Sequence, residues 1–272
     1  MSLAGALAEA ARRLAETSDT PRLDAEMLMA HALGMNRERM LLDPPIGAVP
    51  PAFEELVRRR LHHEPIAYIV GHRAFWTIDL VVGPGVLIPR PDSETLVEAA
   101  VAHFRGRSPI RILDMGVGSG ALLLAALAEW PEATGLGVDQ SVAALETARA
   151  NADRLGMASR ARIEQGSWDA ASSGEFDLVL CNPPYVETGA ELPPDVADYE
   201  PASALYAGSD GLDDYRLIAP ALRLPAGGVA CIEIGSGQAQ AVRTLFELRG
   251  LYSQIRTDLA GRDRCVVVTP GA

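Results

Sequence analysis

Asn182-Pro183-Pro184-Tyr185 follows Leu178, Val179, Leu180 and Cys181, a run that reads as a buried strand. The residue before a proline is driven into extended backbone geometry, so Pro183 constrains Asn182 and Pro184 constrains Pro183. Neither proline carries an N–H. The result is a stiff corner that offers acceptors, the Asn182 side-chain oxygen and the Pro183 carbonyl. Such a pair suits a planar –NH2 group, each acceptor taking one N–H. A nitrogen conjugated with an amide or a base ring is a poor nucleophile. Two fixed acceptors orient it and stabilise the positive charge that develops on it during attack. Tyr185 offers a flat face to the same planar group. Asn-Pro also marks ordinary turns, so the corner acquires meaning only if a neighbouring element supplies an electrophile.

The segment ILDMGVGSGA, residues 112–121, sets Asp114 ahead of Gly116, Val117, Gly118, Ser119 and Gly120. Glycines after a strand allow a tight turn and close approach of a ligand to the backbone. Gly116-x-Gly118-x-x-Ala121 satisfies a dinucleotide fingerprint, with Asp139 of GVDQ where a ribose-binding acid belongs. Asp114 separates the cofactors. An acid there repels a pyrophosphate but can hold the ammonium or water network of a cofactor that carries an amino acid. S-adenosylmethionine has such a group and no phosphate. The pattern D-x-G-x-G-x-G with an acid ending the next strand resembles the class I methyltransferases. By that resemblance Asp139 accepts hydrogen bonds from ribose hydroxyls, and Trp168 of QGSWDA packs on adenine; a Trp at that position also suits a core.

These residues need a scaffold. From about residue 92 strand-like and helix-like segments alternate: IRILDM, SGALLLAALAEW, ATGLGVD, SVAALETARANADRLG, ARIEQ, FDLVLC, then GLDDYRLIAPALRL, GGVACIEIG and QAQAVRTLFELRG, with final strands near 251–257 and 264–269. Such alternation predicts an α/β doubly wound, mostly parallel sheet. The class I resemblance makes it a Rossmann-like sheet of seven strands. The end of its fourth strand, where Asn182 falls, faces the methyl donor across the crevice at the strands' carboxyl ends. Residues 1–77 carry apolar residues at three- and four-residue spacing, with Pro21 and Pro51 near helix starts. The expected organisation is a small N-terminal helical-bundle domain over 1–73, for substrate recognition or as a cap. A β-hairpin linker over 74–90 follows, turning at Gly83-Pro84-Gly85, and a methyltransferase domain spans 91–272. Residues 186–210 are long for a connection, which suits either a mobile lid over the substrate or a disordered link without function.

Composition narrows the field. The chain has 24 basic residues, all arginine, against 36 acids, a net charge of −12. Without lysine there is no Schiff-base chemistry and no P-loop lysine. The acidity opposes free binding to nucleic acid, whose affinity rests on phosphate neutralisation, and disfavours self-association, so a monomer is expected. A partner protein with its own positive surface is compatible with it. Cys181, Cys231 and Cys265 sit in apolar runs at wide spacing, which suits reduced thiols better than disulfides or zinc ligands. No metal site, export signal or membrane span is expected, and the cytoplasm is the expected location.

The stretches EPIAYIVGHRAFW, LIPRPDSETLVE, LDMGVGSG, NPPYV, YEPASAL, GSDGLDDYR and DLAGRD occur in the order seen in the HemK/PrmC family, which this chain resembles over almost its whole length. These are the glutamine methyltransferases of peptide chain release factors. The resemblance implies methyl transfer from S-adenosylmethionine to the glutamine amide of the factors' Gly-Gly-Gln loop, with S-adenosylhomocysteine as product. It implies that Gly116 through Gly120, Asp139, Trp168 and Asn182 meet the cofactor. Asn182, Pro183, Pro184 and Tyr185 would meet the glutamine. Ser93 stands where threonine is common in the family and keeps a hydroxyl; Arg90 either organises the site or pairs with an acid. The sister family, which methylates a glutamine of a ribosomal protein, would share the local chemistry. A DNA adenine methyltransferase would share NPPY but bring a basic recognition region that this chain lacks.

Overall fold

The computed structural model describes residues 2–45 and 47–271, which divide into two compact units. The first comprises Met1–His72 together with Leu192–Glu200. Its helices are α1 (Leu3–Leu14), α2 (Pro21–Ala32), α3 (Arg37–Leu42), α4 (Ala52–Leu61) and α5 (Ile66–Val70). Local chemistry sets their ends. The Ser2 hydroxyl accepts from the Gly5 amide, the Asn36 side chain accepts from the Arg39 amide, and Pro21 opens α2 where no N–H is needed. Leu14, Leu28, Met29 and Val57 form a core with no exposed surface. Arg60 is buried with them. Its Nε donates to Asp24 Oδ2 at 2.8 Å, and its Nη1 reaches the His63 and Glu64 carbonyls. That spread of partners is what a buried guanidinium requires. The nine residues Leu192–Glu200 bring Asp195 to 3.7 Å from Arg60, and the Tyr199 hydroxyl donates to the His62 carbonyl at 2.7 Å.

The second unit, Arg73–Glu191 and Pro201–Ala272, is the α/β layer structure. After β1 (His72–Phe75) and β2 (Ile78–Val81) come α6 (Glu94–His103), β3 (Arg111–Met115), α7 (Ala121–Glu129), β4 (Thr134–Asp139), α8 (Val142–Arg154), β5 (Ala161–Gln165) and β6 (Leu178–Cys181). The short α9 (Pro194–Ala197) belongs to the helical unit. Then follow α10 (Asp213–Ala221), β7 (Val229–Glu233), α11 (Ala239–Glu247), β8 (Leu251–Thr257) and β9 (Asp263–Pro270). The seven-stranded sheet runs β5-β4-β3-β6-β7-β9-β8, with β9 antiparallel to both neighbours and the other pairings parallel. This is the mostly parallel, doubly wound sheet of a class I methyltransferase. Strand β6 is wholly buried, as is β7, matching their unbroken apolar runs. Chain order reverses between β3 and β6, where Met115 lies beside Cys181. A crevice opens at such a switch point, at the carboxyl ends of the strands.

The hairpin differs from expectation. Its strands are His72–Phe75 and Ile78–Val81, so the chain turns at Trp76-Thr77 rather than at Gly83-Pro84-Gly85. Trp76 takes a left-handed backbone (φ 53), held there by its amide on Glu94 Oε1 at 2.8 Å and its indole N–H on Glu129 Oε1 at 2.6 Å. Gly83-Pro84-Gly85 does turn, with the Val86 amide on the Gly83 carbonyl. No second strand follows it, because Pro84, Pro89 and Pro91 deprive that stretch of ladder donors.

Candidate active site

Four acidic or amide side chains collect at the strand ends. Asp114 is in β3, Asp139 ends β4, Asn182 follows β6 and Glu233 ends β7. The pairing of Cys181 with Ile232 sets Asn182 and Glu233 side by side in sequence register. A cavity of about 300 Å³ opens here, within the α/β unit. Asp114, Gly116, Val117, Gly118, Ser119, Asp139, Trp168, Asn182 and Pro184 line it; Gly120, Pro183 and Tyr185 do not.

The glycine loop is built on left-handed backbone, with φ 74 at Gly116, 53 at Gly118 and 88 at Gly120. It is also tied to β4. The Gly116 and Val117 amides donate to the Val138 carbonyl, and the Gly118 amide to Asp139 Oδ2 at 3.0 Å. Asp139 Oδ1 accepts from the Ser141 amide at 2.9 Å, so each carboxylate oxygen has one backbone donor and a lone pair left for a ligand hydroxyl. Buried Asn151 of α8 supports the loop from behind, donating to the carbonyls of Ser119 and Val81.

Asp114 is 1% exposed. One oxygen, Oδ2, accepts from the Leu123 amide at 3.0 Å, and Oδ1 has no partner among the described residues. Burial pushes its pKa up to about 8, against the Leu123 bond, with the Asp139 charge adding to the rise. An unpartnered carboxyl oxygen bordering a cavity calls for a cationic or hydrogen-bond-donating group. The Trp168 ring packs on the loop, since a Cβ added to Gly116 would lie 3.4 Å from its Cη2 atom. Its indole N–H donates to Asp214 Oδ1 at 2.8 Å, and Asp214 lies on the cavity wall, its pKa raised by burial.

Asn182 Nδ2 donates to Ser93 Oγ at 3.2 Å. Neither Asn182 Oδ1 nor the Pro183 carbonyl accepts a hydrogen bond from the described residues. Tyr185 turns its hydroxyl to Glu233 Oε1 at 3.3 Å, and burial drives its pKa up. Its carbonyl accepts from Gln238 Nε2 at 3.0 Å, which locks the exit of the corner. Beyond it, Val186 pairs with the returning segment through its amide on the Leu205 carbonyl and the Ala207 amide on its own. That pairing brings Pro201, Ser203, Ala204 and Tyr206 to the cavity wall.

Sequence reasoning assigned no role to Asp214 or Glu233, and saw the wall formed by Gly85, Val86 and Leu87 only as the turn and second strand of a hairpin. Glu233 had a readable signal, a lone acid inside the apolar run VACIEIG.

Residues 5–71 match the family model of the PrmC N-terminal domain, and residues 92–198 that of the methyltransferase small domain. A release factor glutamine methyltransferase of Rhodospirillum rubrum is 45% identical over 258 residues, covering 92% of this chain and 79% of its own. The chain belongs to the release factor glutamine methyltransferase family. The Moorella thermoacetica member is 41% identical over 276 residues, 97% of each chain. In fold, a methyltransferase from Pyrococcus furiosus superposes with a TM-score of 0.54 at 15% identity, over 81% of this chain and all of that one. Among the described residues, no helix is long and apolar enough to cross a membrane.

Proposed function

We propose that this chain transfers a methyl group from S-adenosylmethionine to the side-chain amide nitrogen of the glutamine in the Gly-Gly-Gln loop of peptide chain release factors. The observation that carries this reading is the Asn182 carboxamide on the wall of the glycine-loop cavity, its amide end bonded to Ser93 and its oxygen without a partner among the described residues. The cofactor fits the residues present. Asp114 has an unpartnered oxygen for the ammonium group, Asp139 has spare lone pairs for ribose hydroxyls, and Trp168 has a ring for adenine. When bound, S-adenosylmethionine supplies a methyl group on cationic sulfur, the electrophile that the corner lacks.

The chain's own residues then act on the glutamine. Asn182 Oδ1 and the Pro183 carbonyl each take one amide N–H, which fixes the nitrogen's plane and draws its lone pair toward the methyl group. As the nitrogen gains positive charge, acceptors fixed at this stiff corner stabilise it without reorganising. Pro184, on the cavity wall, and Tyr185, anchored on Glu233 and Gln238, hold the corner still. The proton leaves to water after transfer, so no strong base is required.

The test is intact-mass measurement of a purified release factor incubated with the enzyme and S-adenosylmethionine. The factor should gain the mass of one methyl group, and its Gly-Gly-Ala variant should gain none. Methylation of ribosomal protein or DNA in place of the factor would overturn the substrate assignment.

A further inference from the structure

Glu233 is the one acid in a strand that is otherwise Val, Ala, Cys and Ile, and it is 1% exposed. Its Oε1 accepts from Tyr185, the Ser93 hydroxyl supplies a second side-chain hydrogen bond, and Oε2 has no partner among the described residues. A buried carboxyl group paired this incompletely is poor structural material, since it costs desolvation without full compensation. Its neighbours, however, are Tyr185 of the acceptor corner and Ser93, which accepts from Asn182.

We propose that Glu233 and Ser93 are positioning residues that decide which end of the Asn182 carboxamide faces the substrate. This rests on the methyltransferase reading of that corner. A carboxylate only accepts hydrogen bonds, and a hydroxyl has one proton to give. Once the Ser93 proton is committed to Glu233, Ser93 Oγ can only accept from Asn182. The amide end of Asn182 must then turn to Ser93, as the 3.2 Å contact has it, and Oδ1 is left as the acceptor. A Ser93 proton free to choose could donate to Oδ1 instead. The carboxamide would then rotate and present –NH2 to the substrate's –NH2, donor against donor. Glu233 holds the Tyr185 hydroxyl in the same sense.

Arg264 of β9 favours the charged form of Glu233, and Asp92, beside Ser93, opposes it. Cys181 of β6 and Cys265 of β9 lie within its field, and the Tyr215 hydroxyl of α10 donates to its backbone carbonyl at 2.8 Å. Burial raises its pKa to about 7. Protonated Glu233 has a proton to give as well as oxygens to accept with, and the relay loses its polarity. Turnover should therefore rise with pH through a limb near that value.

The experiment compares wild type, Glu233→Gln, Ser93→Ala, Ser93→Thr and the double variant E233Q/S93A, all saturated with S-adenosylmethionine and assayed on the release factor. Glu233→Gln and Ser93→Ala should lower kcat by roughly tenfold to a hundredfold, because misplacing one acceptor is enough. Cofactor affinity should stay near wild type. The double variant should be no slower than the slower single, as expected of residues in one relay. Ser93→Thr restores the hydroxyl and should retain turnover, and the pH limb should vanish in Glu233→Gln. Wild-type kcat in Glu233→Gln, losses that multiply in the double variant, or a Ser93→Thr as slow as Ser93→Ala would each overturn the relay. NMR of the Asn182 carboxamide reads the same relay without any substrate: its bonded Nδ2 resonance should move in both single variants, and an unmoved one would also overturn it. An inactive wild-type enzyme with the NMR shift intact would fault the substrate assignment and support the relay.

Discussion

The glycine loop and the proline corner lie at neighbouring strand ends and use the backbone in opposite ways. At Gly116, Gly118 and Gly120 the chain adopts left-handed geometry open to glycine, and the amides of residues 116–118 are spent on Val138 and Asp139 of β4. At 182–185 the chain is held by prolines that have no amides, and what it offers is oxygen. On the proposed reading the loop is approached closely by the cofactor and the corner grips the substrate. One half then answers to the shape of a ligand, the other to the direction of two N–H bonds. Damage to the first should therefore appear in stability and affinity, and damage to the second in turnover.

Asn182→Ala puts the sharpest strain on that division. It should cut kcat by about 10²–10³-fold, the loss typical of one preorganised electrostatic partner, while cofactor binding measured by calorimetry persists. If affinity collapsed and turnover at saturation did not, the corner would belong to the cofactor half. Gly120→Ala probes the other side. A Cβ there would lie 2.9 Å from Leu124 Cδ1 on a residue at φ 88. Stability in urea should fall by about 1–3 kcal/mol, with kcat at saturating cofactor less affected than affinity.

The smallest effect is a proton. Asp114, with its pKa pushed up to about 8, is mostly neutral at pH 7 in the free protein. Since the folded state holds a proton that the unfolded chain has lost, stability of the free protein declines as pH rises from about 4 to about 8. A cation bound beside it reverses the shift, so cofactor binding at pH 7 should release up to about one proton. Calorimetry in buffers of different ionisation enthalpy measures that release, and Asp114→Asn should abolish it.

Much of this site was legible from residue types because backbone chemistry leaves marks in sequence. Only glycines make the 116–120 turn readily, and adjacent prolines after Asn182 stiffen the backbone visibly in the sequence. The wholly apolar runs LVLC and VACI announced buried parallel strands. What stayed hidden depends on neighbours far along the chain. Ser93 matters because Asn182, 89 residues later, donates to it, and Asp214 because it meets Trp168. The hairpin turn escaped for the same reason. Gly83-Pro84-Gly85 is the stronger local turn signal, yet Glu94 and Glu129 hold Trp76 in the conformation that reverses the chain.

The nine residues Leu192–Glu200 give the molecule a property that no cut in the sequence respects. They lie between β6 and α10 in order, yet they pack with the helices of residues 1–72. The chain therefore passes between its two units three times, after residues 72, 191 and 200. A gene truncated to begin at residue 73 would not yield a clean catalytic half. It would strand Asp195 and Tyr199 without Arg60 and His62, in a loop whose continuation from Pro201 walls the cavity. The helical unit is thus closed by a stretch that the sequence places deep inside the other unit's span.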